Sequence, residues 1–312
     1  MLRILFSFSL SRSWLAGLAA ILSVSQTLAA TYVLPPPDID LVGNLQYTAA
    51  KHNNDTLSDI ARRFNIGFDQ ITQANPKVNA WYPKQGTRVL LPSRYILPKA
   101  ERRGVVLNLP EMRLYYFKTV EGVPQVETHP ISIGRMDWQT PLGLTTITEK
   151  LRNPAWHPPE SIKREHAKEG DILPDVVEAG PDNPLGEYAL RLGVKGYLIH
   201  GTDKEYGIGM RVTHGCIRMY PEDIEQIFRQ VAAKTPVQFV NQPIKLGWQA
   251  DILFIEVHPS LEEDNLTPQA LLTKAEEMVA QATQQRRIRL DRRRLQMAVQ
   301  TPSGLPIPIG KP

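Results

Sequence analysis

Apolar residues change rhythm along the chain, and each rhythm marks a segment. Residues 14–22, WLAGLAAIL, form one unbroken apolar run behind Arg3 and Arg12, followed by the small and polar SQTLAA at 25–30. This layout predicts a cleavable secretory signal peptide over 1–30, cut after Ala29 or Ala30. The run is shorter than the roughly 20 residues that span a bilayer, and no later run is long enough, so no stable membrane span is expected. Residues 31–44, TYVLPPPDIDLVGN, lack helical periodicity and predict an extended leader. Over 45–95, LQYTAA reads as a strand, and DTLSDIARRFNI puts Leu57, Ile60, Ala61 and Phe64 on one helical face with Asp55 as N-cap. A second helix in FDQITQAN stops at Asn75, because the residue before proline is pushed out of the helical region, and GTRVLLP closes a strand, helix, helix, strand order.

From 101 to 241 the apolar runs become short and are separated by glycine and proline: GVVLNLP, MRLYYF, THPISIG, TTITEK, YALRLG, YLIHGT and TPVQFVN. Such runs predict a mainly β domain of sandwich or barrel type. One helix interrupts it, starting at Pro221 with Ile224, Ile227, Phe228 and Val231 on one face. Residues 242–312 form an α/β appendix with a strand in ILFIEVH and a helix in TPQALLTKAEEMVAQA capped by Thr267. Its basic run RRIRLDRRRLQMAV reads as a solvated face.

The 312 residues suit two or three domains. The formal charge of +4 falls by two, to +2, once Arg3 and Arg12 leave with the signal peptide, so nothing points to a nucleic-acid partner. Export makes the single cysteine, Cys216, conspicuous, because thiols in oxidising compartments are commonly paired. Around it stands RVTHGCIRMY, with His214, Arg218 and Arg211 within five residues. Cations so close favour the thiolate, the nucleophilic form of cysteine. His200 ends the predicted strand YLIH, and the loop after it can fold back toward the thiol, giving the cysteine–histidine pair of covalent catalysis. Gly215 leaves the neighbouring amide unobstructed for an oxyanion, and the Gly201 carbonyl can orient the imidazole.

Two stretches resemble known families. DTLSDIARRFNIGFDQITQANP and YPKQGTRVLLP, within about 46–92, resemble a LysM module, although YTAAKHNNDTL departs from the family's valine-rich strand and Gly-Asp step. That resemblance implies binding to the glycan strands of peptidoglycan. IHGTDKEYGIGMRVTHGCIRMYPEDIEQIF, with IGRMDWQTPLG and GPDNPLGEYALRLG upstream, resembles the L,D-transpeptidases of the ErfK/YkuD family, Gram-negative periplasmic type. It implies a YkuD-like β-sandwich over 101–241 whose nucleophile is Cys216 and whose base is His200. His214, Gly215, Gly201 and Thr213 would support the site, and Arg218 and Arg211 would bind substrate. Thr213 replaces the commoner serine, and Leu144 a common phenylalanine. The implied reaction takes the diaminopimelate acyl group of a peptidoglycan tetrapeptide stem as a thioester, without cofactor or metal. An amine then collects it, either another diaminopimelate or the lysine of an outer-membrane lipoprotein, toward which the layout leans. Alternatives are an L,D-carboxypeptidase using water, a non-catalytic wall-binding protein, and a metal site of His200, His214 and Cys216 with His157 or His166. Trp138 and Trp156 read as loop anchors or cleft walls, His129 and His258 as surface or locally bonded residues, and Glu187 and Asp203 as surface or amine-contacting groups.

Overall fold

The computed structural model describes residues 30–312, so the signal peptide expected over 1–30 lies outside the described residues apart from Ala30. A nine-stranded sheet dominates. From one edge it runs Ala30–Val33, Val123–Pro130, Arg113–Val120, Gly104–Asn108, Pro236–Val240, Gly143–Arg152, Tyr188–Leu192, Leu198–His200 and Ile217–Arg218. Most neighbours are antiparallel, but Gly104–Asn108 pairs in parallel with Pro236–Val240, and Leu198–His200 with Ile217–Arg218. The two-residue side-chain period sorts the strands' residues between two cores. Val105, Leu107 and Leu114 join Ile147, Leu190, Ile199 and Ile217 in one core, so both halves of the sheet close on the same interior. Val106, Tyr115 and Phe117 face a second core with Val42, Tyr95 and Val126. The mainly β reading of this region holds, and the helix Pro221–Gln230 starts at its proline and packs Ile224 and Ile227 into the first core.

The stretch 31–44, expected as an extended leader, is extended but built in. Ala30–Val33 pairs with Val123–Pro130, and Leu41–Gly43 pairs with Arg94–Ile96. The physical reason is the open row of donors and acceptors that a sheet edge presents to any extended neighbour. The next segment has the anticipated order: strands Gln46–Ala49 and Arg88–Leu91 pair antiparallel around helices Leu57–Arg63 and Phe68–Ala74. Leu57, Ile60, Ile66, Ile71 and Val89 fill its core. Its first helix is capped by Thr56, not Asp55. The Thr56 hydroxyl accepts from the Asp59 amide while the Asp59 carboxylate accepts from the Thr56 amide, a reciprocal capping box. Asp55 is drawn away by Arg63, which donates two hydrogen bonds to it and holds its carboxyl well below the usual range.

Two helices were not anticipated. Glu160–Lys168 buries only Ile162, too little apolar periodicity to register in the sequence. Arg292–Gln300 lies in the basic run expected to be a solvated face. Leu295, Ala298 and Val299 recur at helical spacing and are buried, while the arginines stay exposed. This helix and Pro268–Ala282 cover a four-stranded sheet in the order Ile244–Gln249, Ile252–Val257, Ile307–Lys311, Arg289–Leu290. No helix among the described residues is long and apolar enough to cross a membrane.

A buried polar node joins this appendix to the rest. Lys245 Nζ lies 2.7 Å from both Glu111 and Glu256, and donates to the Ile96 carbonyl at 2.7 Å. Glu256 also accepts from the Ile96 amide and contacts His258 Nε2 at 2.7 Å. Burial raises the Glu111 carboxyl, but Lys245 and His258 outweigh it and hold the group ionised. Glu111, Glu256 and His258 gather like metal ligands, yet the Lys245 ammonium already supplies their cation.

Candidate active site

The parallel pairing of Leu198–His200 with Ile217–Arg218 sets the site. Ile199 aligns with Ile217 and His200 with Arg218, so the pleat turns His200 and Arg218 to the same face, and residue 216 falls in step with them. His200 is buried, and its Nδ1 lies 2.7 Å from the Gly201 carbonyl. That bond assigns the proton to Nδ1 and leaves Nε2 as an acceptor. Burial, and then the charge of Arg218, push the imidazole down to about 3, so the ring is neutral.

Cys216 is half-buried, with Sγ 3.7 Å from the Gly196 carbonyl. The turn before it is tightly held. The Thr213 hydroxyl donates to the Cys216 carbonyl at 2.6 Å, and the Thr140 hydroxyl to the Gly215 carbonyl at 2.9 Å. Gly215 sits at φ +98°, a backbone conformation that favours glycine, and a Cβ there would stand a tight 3.0 Å from the Tyr197 ring. Burial pushes the thiol up, and the Leu198 backbone and Arg218 offset this only in part.

The cations expected to lower the thiol are therefore disposed differently from the sequence reading. Arg211 makes a bidentate pair with Glu263 at 2.9 and 3.2 Å and donates to the Gly134 carbonyl, so its donors are spent on holding the following segment rather than open to substrate. His214 contacts Glu165 at 3.2 Å and packs against Trp138, ring centroids 5.1 Å apart. Burial lowers its pKa, with Glu165 pulling the other way. Arg218 remains beside the site. Its Nη1 lies 3.8 Å from where a Cβ of Gly207 would stand, and its buried Nε has no hydrogen-bond partner. Burial depresses its pKa, with Asp203 and then Tyr206 pulling the other way. No carboxylate among the described residues forms an ion pair with it, so its charge is open to an anion.

The sequence reading missed Glu165, which bridges Arg135, at 2.5 Å, and His214. Trp138 packs edge-on against the His214 ring, and Trp156 is a loop anchor bridged to Val177. His129 and His258 are buried with local partners, His129 between Glu127 and Asp223.

A mainly β domain places His200 at the end of one strand and Cys216 in the bend that leads into the strand paired with it, and a small βααβ module precedes this domain. Residues 102–239 match the L,D-transpeptidase catalytic domain (YkuD), and residues 53–92 match the LysM domain. The chain is 40% identical over 250 residues to the probable L,D-transpeptidase YcfS of Escherichia coli K12, covering 78% of each chain. It is 39% identical over 253 residues to the probable L,D-transpeptidase ErfK/SrfK of the same organism, covering 80% of this chain and 81% of the other. Over 302 residues it is 36% identical to the probable L,D-transpeptidase YbiS, covering 94% and 96%. The chain belongs to the L,D-transpeptidase family.

Proposed function

We propose that this enzyme acts in the periplasm, after removal of its signal peptide, on the tetrapeptide stems of peptidoglycan, with Cys216 as nucleophile and His200 as base. Sγ attacks the diaminopimelate carbonyl as His200 Nε2 takes the thiol proton. The tetrahedral oxyanion is met by backbone amides at the Gly215–Cys216 turn. Collapse breaks the amide bond, and the leaving D-alanine amine takes the proton from His200, leaving a thioester on Cys216. An amine, from a second diaminopimelate or a lipoprotein lysine, then attacks the thioester and regenerates the thiol. Arg218 is assigned to a carboxylate of the donor stem, which would relieve its missing partner. The LysM module holds the glycan strand.

The observation that carries this reading is the His200 imidazole, fixed by the Gly201 carbonyl in the tautomer of a base, on the strand paired with Ile217–Arg218, which Cys216 directly precedes. Mass spectrometry after incubation with a tetrapeptide is expected to show Cys216 carrying the stem less D-alanine. Cys216→Ala should carry nothing, and His200→Ala should acylate about 10²- to 10⁴-fold more slowly. Adding diaminopimelate or a lysine-ended lipoprotein peptide distinguishes the acceptors. Hydrolysis at an unchanged rate with either amine present would make the enzyme a carboxypeptidase.

A further inference from the structure

The loop that joins His200 to Cys216 has two faces. Its inner face meets Arg218 at Gly207, and the Ser132 hydroxyl donates to the Gly207 carbonyl at 2.6 Å. Its outer face meets the LysM module. There the Phe68 amide donates to the Ile208 carbonyl at 3.1 Å and the Asp69 amide to the Gly209 carbonyl at 3.2 Å. The backbones touch so closely that a Cβ on Gly209 would lie 2.3 Å from the Gly67 Cα. Arg62 lies beside this contact. Its Nε donates to Glu205 in the loop at 2.5 Å, its two Nη atoms grip Glu222, and its guanidinium covers the Tyr220 ring at 4.4 Å. Asn65 completes the seam, donating to the buried Asp223 at 2.8 Å.

This arrangement exceeds what a tether requires. Ile208 is buried, and a buried carbonyl without a donor is costly. The module therefore supplies hydrogen bonds that the loop needs in order to hold its shape over Arg218. We infer that the LysM module is a structural part of the transpeptidase site, and that Arg62 is a positioning residue for the loop that closes over the donor pocket. The inference rests on the assignment of Cys216 and Arg218 to donor binding and acylation.

A soluble, glycan-free tetrapeptide tests it, because glycan tethering then contributes nothing. Wild-type enzyme, Arg62→Ala, Arg62→Lys, Glu205→Gln and a control at the exposed Lys77, Lys77→Ala, are compared for D-alanine release and for alkylation of Cys216 by iodoacetamide. Arg62→Ala and Glu205→Gln are expected to raise the donor KM about tenfold, since sub-ångström to ångström displacements of binding groups have effects of this order or larger. Arg62→Lys should recover part of the loss, and Lys77→Ala should match wild type. Alkylation, which needs no donor pocket, should proceed at the wild-type rate in all of them. A wild-type KM in Arg62→Ala overturns the inference, as does an equal loss of alkylation and donor turnover, which marks general unfolding. If the wild-type enzyme itself forms no adduct on Cys216, the functional reading fails, and the inference with it.

Discussion

Burial favours the neutral form of both the Cys216 thiol and the His200 imidazole. Burial raises the first and lowers the second, and the charge of Arg218 further disfavours a proton on the ring. In the proposed mechanism, proton transfer would then accompany attack instead of preceding it. A donor carboxylate seated on Arg218 would cancel that charge and strengthen the base only when substrate is present. In the free enzyme, alkylation of Cys216 is expected to be slow at pH 7 and to climb above the ordinary thiol range near 9. The sign follows from the raised thiol: the thiolate gains population only as pH exceeds its elevated pKa. A reactivity plateau from pH 5 to 8 would instead reveal a standing thiolate–imidazolium pair. Much at this scale was legible in the sequence, because His200, Gly201, Thr213, Gly215 and Cys216 lie within one short stretch and act through local geometry. The fates of Arg211 and His214 were not legible. Their partners, Glu263 and Glu165, lie about fifty residues away in segments with no pattern pointing back to them.

The helix Glu160–Lys168 acts as a latch beside the site. It buries one apolar side chain, Ile162, and is fastened by Glu165 to Arg135 and His214. A segment with so little burial opens at low cost, so its order depends on those polar ties. Glu165→Ala is expected to speed amide exchange across 160–168 by tenfold or more while changing global stability by no more than about 0.5 kcal/mol, the usual range for surface substitutions. Unchanged exchange would show that packing, not the ties, holds the helix. The same scarcity of apolar residues explains why this element escaped the sequence, whereas Pro221–Gln230 and Pro268–Ala282 carry both a start signal and a continuous apolar stripe. The Thr56 cap shows a related limit: Asp55 is an equally good cap by type, and only the position of Arg63 decides between them.

At the scale of the molecule, Lys245 joins regions that composition alone keeps apart. It reaches Ile96 between the LysM and catalytic regions, Glu111 in the catalytic region, and Glu256 in the appendix. Lys245→Met would remove the ammonium from two buried carboxylates and leave them only His258 as a partner. The expected loss is about 3–5 kcal/mol, the range for breaking a buried pair by removing one partner, measured as a fall in the denaturant midpoint. A loss below 1 kcal/mol would mean that protonation of Glu111 or Glu256 replaces the ammonium without strain. The small βααβ module and the mainly β domain after it were visible in the chain because each has its own periodicity. The seams between regions were not, since they depend on single buried ions and on backbone contact at Gly67 and Gly209.

Gly104–Asn108 and Pro236–Val240 are hydrogen-bonded neighbours although about 130 residues separate Val105 from Val237. Closure over such a separation is slow, because the entropy of bringing distant segments together is lost before their contacts form. If the chain is exported through a pore from its N-terminal end, as proposed, Cys216 would emerge ahead of the strand that completes the central sheet. During that interval the sulfur would be bare, and a chain without a second cysteine could not trap it in an internal crosslink.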